Sequence, residues 1–77
     1  TGAAIDLTLV DEIGEPVNMG SAIDELTPRS YPNHFSQSLD PLEQCFYQNR
    51  QVLQQAMRSA GFQQHPNEWW HFCLGDQ

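Results

Sequence analysis

The chain has 77 residues, 39% of them hydrophobic, and sets ten Asp and Glu against three Arg and no Lys, for a formal net charge of −7. That balance argues against nucleic acid, where affinity comes mainly from Lys and Arg neutralising phosphates, and equally against an anionic membrane surface. No apolar run approaches the ~20 residues that span a bilayer, and the opening residues lack the basic stretch of a signal peptide. The length allows one small domain at most, or a piece of a larger one.

Residues 3–10 alternate with period two and predict a strand, with Ile5, Leu7 and Leu9 on one face and Ala4, Asp6, Thr8 and Val10 on the other. Nothing caps this strand and no Met begins the chain, so an upstream segment is expected. Residues 11–16 read as a turn, with Gly14 suited to a positive φ. Residues 17–40 hold Pro28 and Pro32 among many Ser, Thr and Asn. They predict a long irregular excursion with a short helical turn near residues 22–26, and loops of that length are usually functional or disordered. A helix is predicted over residues 41–60. Asp40 is its N-cap, Pro41 takes the first helical position, Glu43 can complete a capping box, and Gly61 ends it. Its stripe runs through Leu42, Cys45, Phe46, Asn49, Val52, Leu53, Ala56, Met57 and Ala60. Residues 62–65 predict a short strand, Pro66-Asn67 a turn, and residues 69–74 another strand. The expected fold class is α+β, a small antiparallel sheet packed against one long helix as part of a larger fold. Cys45 and Cys73 are too few for a disulfide scaffold and read as reduced, buried thiols.

Three side chains concentrate the chemistry. Asp6 is a carboxylate inside a strand, where Asp is depleted. Glu68 and His71 are an acid and an imidazole among aromatics, in Glu68-Trp69-Trp70-His71-Phe72. In one straight strand they would face opposite ways, but the Pro66-Asn67 turn bends Glu68 toward the side of His71. Carboxylate and imidazole are ordinary zinc ligands, and a nearby glutamate can serve as a base toward water. Two ligands fall short of the three a catalytic zinc site takes from protein; His34 and His65 are the remaining histidines, and their spacing favours neither. Asp24-Glu25 can bind a cationic group or simply solvate a turn. No serine has the Gly-x-Ser-x-Gly context, and Cys73, on the strand face of His71, lacks a third group to orient the pair.

At these residues the chain resembles the zinc D-alanyl-D-alanine dipeptidase family, which carries Ser-x-His-x-x-Gly-x-Ala-x-Asp and, about sixty residues later, Glu-Trp-Trp-His. Gly2-Ala3-Ala4-Ile5-Asp6 matches the second half of the first motif and Glu68-Trp69-Trp70-His71 the second. Met19-Gly20-Ser21 with Asp24 resembles the family's Met-Gly-x-x-x-Asp segment; Asn49-Arg50 and Ala60-Gly61-Phe62 also fit. The resemblance implies that Asp6 and His71 are zinc ligands, that Glu68 is the catalytic base, and that Asp24 pairs with the free ammonium of a dipeptide. It implies zinc-dependent hydrolysis of D-alanyl-D-alanine or a similar dipeptide, with Trp69 and Trp70 bracing the site.

The first histidine of the motif would fall three residues before Gly2, ahead of Thr1. An arginine that the family draws from upstream is absent too. The expectation is therefore that residues 1–77 are the C-terminal portion of a single zinc dipeptidase domain, partnered by the upstream segment of the same protein. The isolated chain is expected to be inactive. Two other functions fit the same residues: a non-catalytic binding module of this fold, or a related carboxypeptidase acting on cell-wall peptides. The resemblance implies the cytoplasm, with the periplasm as the alternative.

Overall fold

The predicted helix forms as α1 (Pro41–Ser59) in the computed structural model, which describes residues 3–74. The Asp40 carboxylate accepts from the Leu42 N–H at 2.9 Å, and Pro41 occupies the first turn, where its missing N–H costs nothing. Glu43 does not close a capping box. Its carboxylate accepts from the Ser38 hydroxyl at 2.6 Å, while the Asp40 N–H donates to that same Ser38 oxygen at 3.1 Å. The hydroxyl thus stands between the two residues that a capping box would join directly.

The face that α1 buries differs from the predicted stripe. Leu53 and Arg50 are buried, with Phe46, Asn49 and Met57 half-buried, whereas Leu42, Cys45, Val52, Ala56 and Ala60 are exposed. Neither thiol is buried: both cysteines are free, Cys45 exposed and Cys73 intermediate.

Three strands complete the α+β fold: β1 (Ala4–Asp6), β2 (Phe62–Gln64) and β3 (His71–Leu74), in sheet order β1-β3-β2 with both pairings antiparallel. The strand predicted over residues 3–10 pairs with β3 only through its first half. Beyond the Leu7 N–H bond to the Trp70 carbonyl, the chain turns back on itself: Val17 N–H donates to Leu9 O at 3.0 Å and Asp11 N–H to Glu15 O at 2.8 Å. The Asp11 carboxylate closes that turn by accepting from the N–H groups of Ile13 and Glu15. Pro16, which has no N–H to donate, reduces the ladder there to a single bridge with Val10.

No helical turn forms near residues 22–26. The Glu25 N–H reaches the Ala22 carbonyl at 3.3 Å, but Asp24 between them has a φ of +70°, outside the helical region, and the Glu25 carboxylate accepts from the Ala22 N–H, the Thr27 hydroxyl and the Arg29 guanidinium. A single 3-10 turn, Pro28–Ser30, follows, with the Thr27 hydroxyl accepting from the Arg29 N–H.

Burial divides the sheet into two faces. Phe72, 1% exposed, lies opposite Ile5 and joins Met19, Leu53, Trp69 and Trp70 in the core; Leu7, Leu9, Val17, Ile23, Met57 and Phe62 pack against that cluster. Each fully buried large apolar side chain contributes about 1.5–3 kcal/mol. Asp6, His71 and Cys73, one position out of phase with Phe72, lie on the other face.

Candidate active site

Asp6 is the last residue of β1 and His71 the first of β3, and the antiparallel register sets them directly opposite. Residues 65 positions apart in sequence therefore meet, with His71 Nδ1 at 2.5 Å from Asp6 Oδ1. The pair is open to solvent, the His71 side chain 26% and the Asp6 side chain 41% exposed. In its Nδ1-protonated form His71 donates this bond, and the carboxylate then fixes ring orientation.

The imidazole has other neighbours. The Trp70 ring lies edge-on at 5.9 Å between centroids, and the His65 ring at 5.7 Å. His65 is thus the histidine the fold brings beside the pair; its Nδ1 accepts from the Asn67 N–H at 3.0 Å. His34 is exposed and stacks edge-on against Phe35 instead. Cys73 Sγ lies 4.0 Å from His71 Nε2. Asp6 supplies the orienting group that sequence reading did not find for a Cys–His pair, yet 4.0 Å exceeds the reach over which a base activates a nucleophile.

Glu68 sits just ahead of β3, where its carbonyl accepts from the His71 N–H at 3.4 Å. Its side chain lines a pocket of about 210 Å³ together with Asn67 and residues of the 25–31 segment, among them Leu26, Thr27 and Tyr31. A larger open groove of about 830 Å³ lies along β2 between Arg58 and Pro66; it includes His65 but none of Asp6, Glu68 or His71.

Asp24 is exposed, with a φ of +70°, and no hydrogen bond links it to Asp6, Glu68 or His71. The excursion that carries it is nevertheless tied to the residue after Glu68: Trp69 Nε1 donates to Ser21 Oγ at 2.8 Å, and the Trp69 N–H donates to the Ser30 carbonyl at 2.9 Å. Ser30, itself buried, donates its hydroxyl to the Glu25 carbonyl. Glu25 is held down to about 2 from its ordinary 4.5, first by the Arg29 bond and then by the Thr27 hydroxyl, and the same contact raises Arg29.

The residue that reading from sequence missed is Arg50. It is 1% exposed, and burial lowers its pKa to about 10, which leaves it a cation at neutral pH. An apolar stripe gives no reason to place a cation on the buried side of a helix; the only signal was its place beside Asn49 in the family-like segment.

As to metal, Asp6 and His71 are donors of the right kind, converge on one face and are accessible. In number they fall short, since among the described residues no group of three or more His, Cys, Asp or Glu is arranged to hold an ion. Gly2 of the first motif lies outside the described residues.

The described residues thus set an acid–imidazole pair on the open face of the sheet, while Glu68 lies three residues ahead of β3 and lines a pocket that contains neither Asp6 nor His71. The family profile described as D-ala-D-ala dipeptidase matches residues 1–77. A D-alanyl-D-alanine dipeptidase of Synechocystis is 49% identical over all of this chain and 34% of the relative's length. Enzymes of the same name from Escherichia coli and Enterococcus faecalis are 44% and 42% identical, over 95% and 99% of this chain and 35% and 36% of their own lengths. The chain belongs to the D-Ala-D-Ala dipeptidase family, and it spans about a third of the length of these relatives. Among the described residues no helix is long and apolar enough to cross a membrane.

Proposed function

We propose that the full-length protein is a zinc-dependent dipeptidase of the cytoplasm acting on D-alanyl-D-alanine or a similar dipeptide, with residues 1–77 as the C-terminal portion of its catalytic domain. The observation that carries this reading is the in-register meeting of Asp6 and His71 on an open sheet face, with Glu68 three residues ahead of His71. Asp6 and His71 would hold zinc with a third ligand from upstream. Zinc when bound supplies Lewis acidity and lowers the pKa of water. Glu68 takes a proton from the attacking water and delivers it to the departing amine, so one carboxylate acts first as base and then as acid. Asp24 pairs with the substrate's ammonium and selects for an open amino end. Trp69 and Trp70, both buried, brace the segment that carries Glu68 and His71.

The test is turnover of D-alanyl-D-alanine by the full-length protein and by Glu68→Gln, with metal content measured on both. Loss of turnover by about 10²–10⁴-fold with zinc retained is expected for removal of a general base. Turnover by Glu68→Gln within threefold of the unmodified protein would remove Glu68 from the mechanism. Binding of the dipeptide without any hydrolysis by the intact protein would favour a non-catalytic module.

A further inference from the structure

Arg50 projects from the middle of α1 into the excursion of residues 19–31. Its Nε donates to the Met19 carbonyl at 2.7 Å, its Nη2 to the Arg29 carbonyl at 2.7 Å and its Nη1 to the Tyr31 carbonyl at 3.0 Å. The guanidinium carbon lies 4.8 Å from the centroid of the Phe35 ring and 5.5 Å from that of Trp69. Among the described residues no carboxylate is in direct contact with it; Glu25 acts on it only through space. A buried cation without a counter-ion is costly unless its donors are satisfied. Here three carbonyl dipoles and two aromatic faces do that work, and all three carbonyls belong to one excursion.

The bonds to residues 19, 29 and 31 bring both ends of a loop to one rigid fork, and Asp24 lies on that loop. The fork also stacks against Trp69, the neighbour of Glu68, and Trp69 is bonded to Ser21 and Ser30 on the same loop. Asp6 and His71 stand apart from this network, on the opposite face of the sheet from the core.

We infer that Arg50 is a positioning residue for substrate binding: its three bonds to the main chain hold the 19–31 loop, and with it Asp24, at a set distance from Glu68. It touches neither substrate nor metal. This rests on the proposed roles of Asp24 and Glu68, and it adds the guanidinium to the Trp69 bonds that tie the loop to the neighbour of Glu68. A lysine at this position keeps the charge but cannot span three carbonyls, because its ammonium is a point donor and not a planar fork.

The test compares Arg50→Lys and Asp24→Asn in the full-length protein, reading four quantities: zinc per molecule, KM and kcat for D-alanyl-D-alanine, inhibition by acetohydroxamate (a metal-directed ligand without an ammonium), and amide exchange. In Arg50→Lys, KM rises by at least about tenfold, the scale of losing one or more charge-assisted hydrogen bonds, while zinc content and acetohydroxamate inhibition hold. Amide exchange quickens at Ser30 and Trp69 but not in β1. A merely structural role would lower the active fraction, and so kcat, with KM unchanged; that result, or unchanged exchange in residues 19–31, overturns the inference. If Asp24→Asn leaves KM unaltered, the role of Asp24 fails separately, and the exchange readout still decides whether Arg50 holds the loop. Should Arg50→Lys not fold, Arg50→Gly with added guanidinium replaces it. Restoration of KM by millimolar guanidinium is then expected, and its failure counts against the proposal.

Discussion

Gly20 lies at the start of the excursion with a φ of +92°, and a Cβ placed on it would meet Phe35 Cε2 at 2.7 Å and Phe46 Cδ2 at 2.8 Å. Gly20→Ala therefore carries two costs. A side chain in the left-handed region costs about 1–2 kcal/mol. Forcing a methyl into ring atoms that cannot swing away costs a further ~1–3 kcal/mol, because Phe35 is buried and Phe46 half-buried. The sum, about 2–5 kcal/mol, is a large share of the ~5–15 kcal/mol that stabilises an ordinary domain.

The chain contains its own control. Gly14 has nearly the same dihedral, φ +86°, yet nothing lies within 4 Å of its Cβ position. Gly14→Ala thus carries the backbone term alone, about 1–2 kcal/mol. Urea unfolding of the two full-length variants, analysed for midpoint at unchanged slope, measures both. Gly20→Ala should be the less stable by about 1–3 kcal/mol, the steric share. Equal losses, within about 0.5 kcal/mol, would mean that Phe35 and Phe46 yield freely and that the close approach does not explain Gly20.

Three further outcomes are expected. Asp40→Ala removes the 2.9 Å bond to the Leu42 N–H and should lower stability by about 1 kcal/mol in denaturant unfolding, whereas Asp40→Asn should cost only a few tenths. Glu25 has a carboxyl lowered by its folded partners, so its contribution is complete above the ordinary carboxylate range and fades as pH falls from 4.5 towards about 2. Unfolding followed across that window should show an acid slope that flattens in Glu25→Gln; an identical slope in both would remove Glu25 as its source. His71→Ala should abolish zinc retention by the full-length protein after dialysis against a mild chelator, where Glu68→Gln retains it, as metal analysis would register.

Elements whose determinants are local were legible in the sequence. Asp40-Pro41 and Gly61 bound α1 to within a residue, and Pro66-Asn67 marks the turn between β2 and β3. Where a side chain competes with the backbone, legibility fails: the Glu25 carboxylate collects three partners and no helical turn forms around it. The first strand was read too long because its alternation continues to Val10, although the partner for residues 9–11 is the returning segment 15–17 and not β3. Alternation reports which residues share a face; it does not report which strand they pair with.

The candidate site divides along the same line. Asp6 and His71 were visible as residue types, but their meeting depends on a register in which Ile5 lies opposite Phe72; a slip of one residue would turn Asp6 toward the core. Burial of Phe72 therefore holds the candidate pair in place from the other face of the sheet. The anchoring of the excursion left no comparable trace. Arg50 grips carbonyl oxygens, and every residue has one, so positions 19, 29 and 31 need no particular side chain to be held. A contact made to main chain constrains only its donor, and a lone arginine on a helix otherwise reads as solvated charge. That part of the loop's order is written in one residue, thirty-one positions after the first carbonyl it binds.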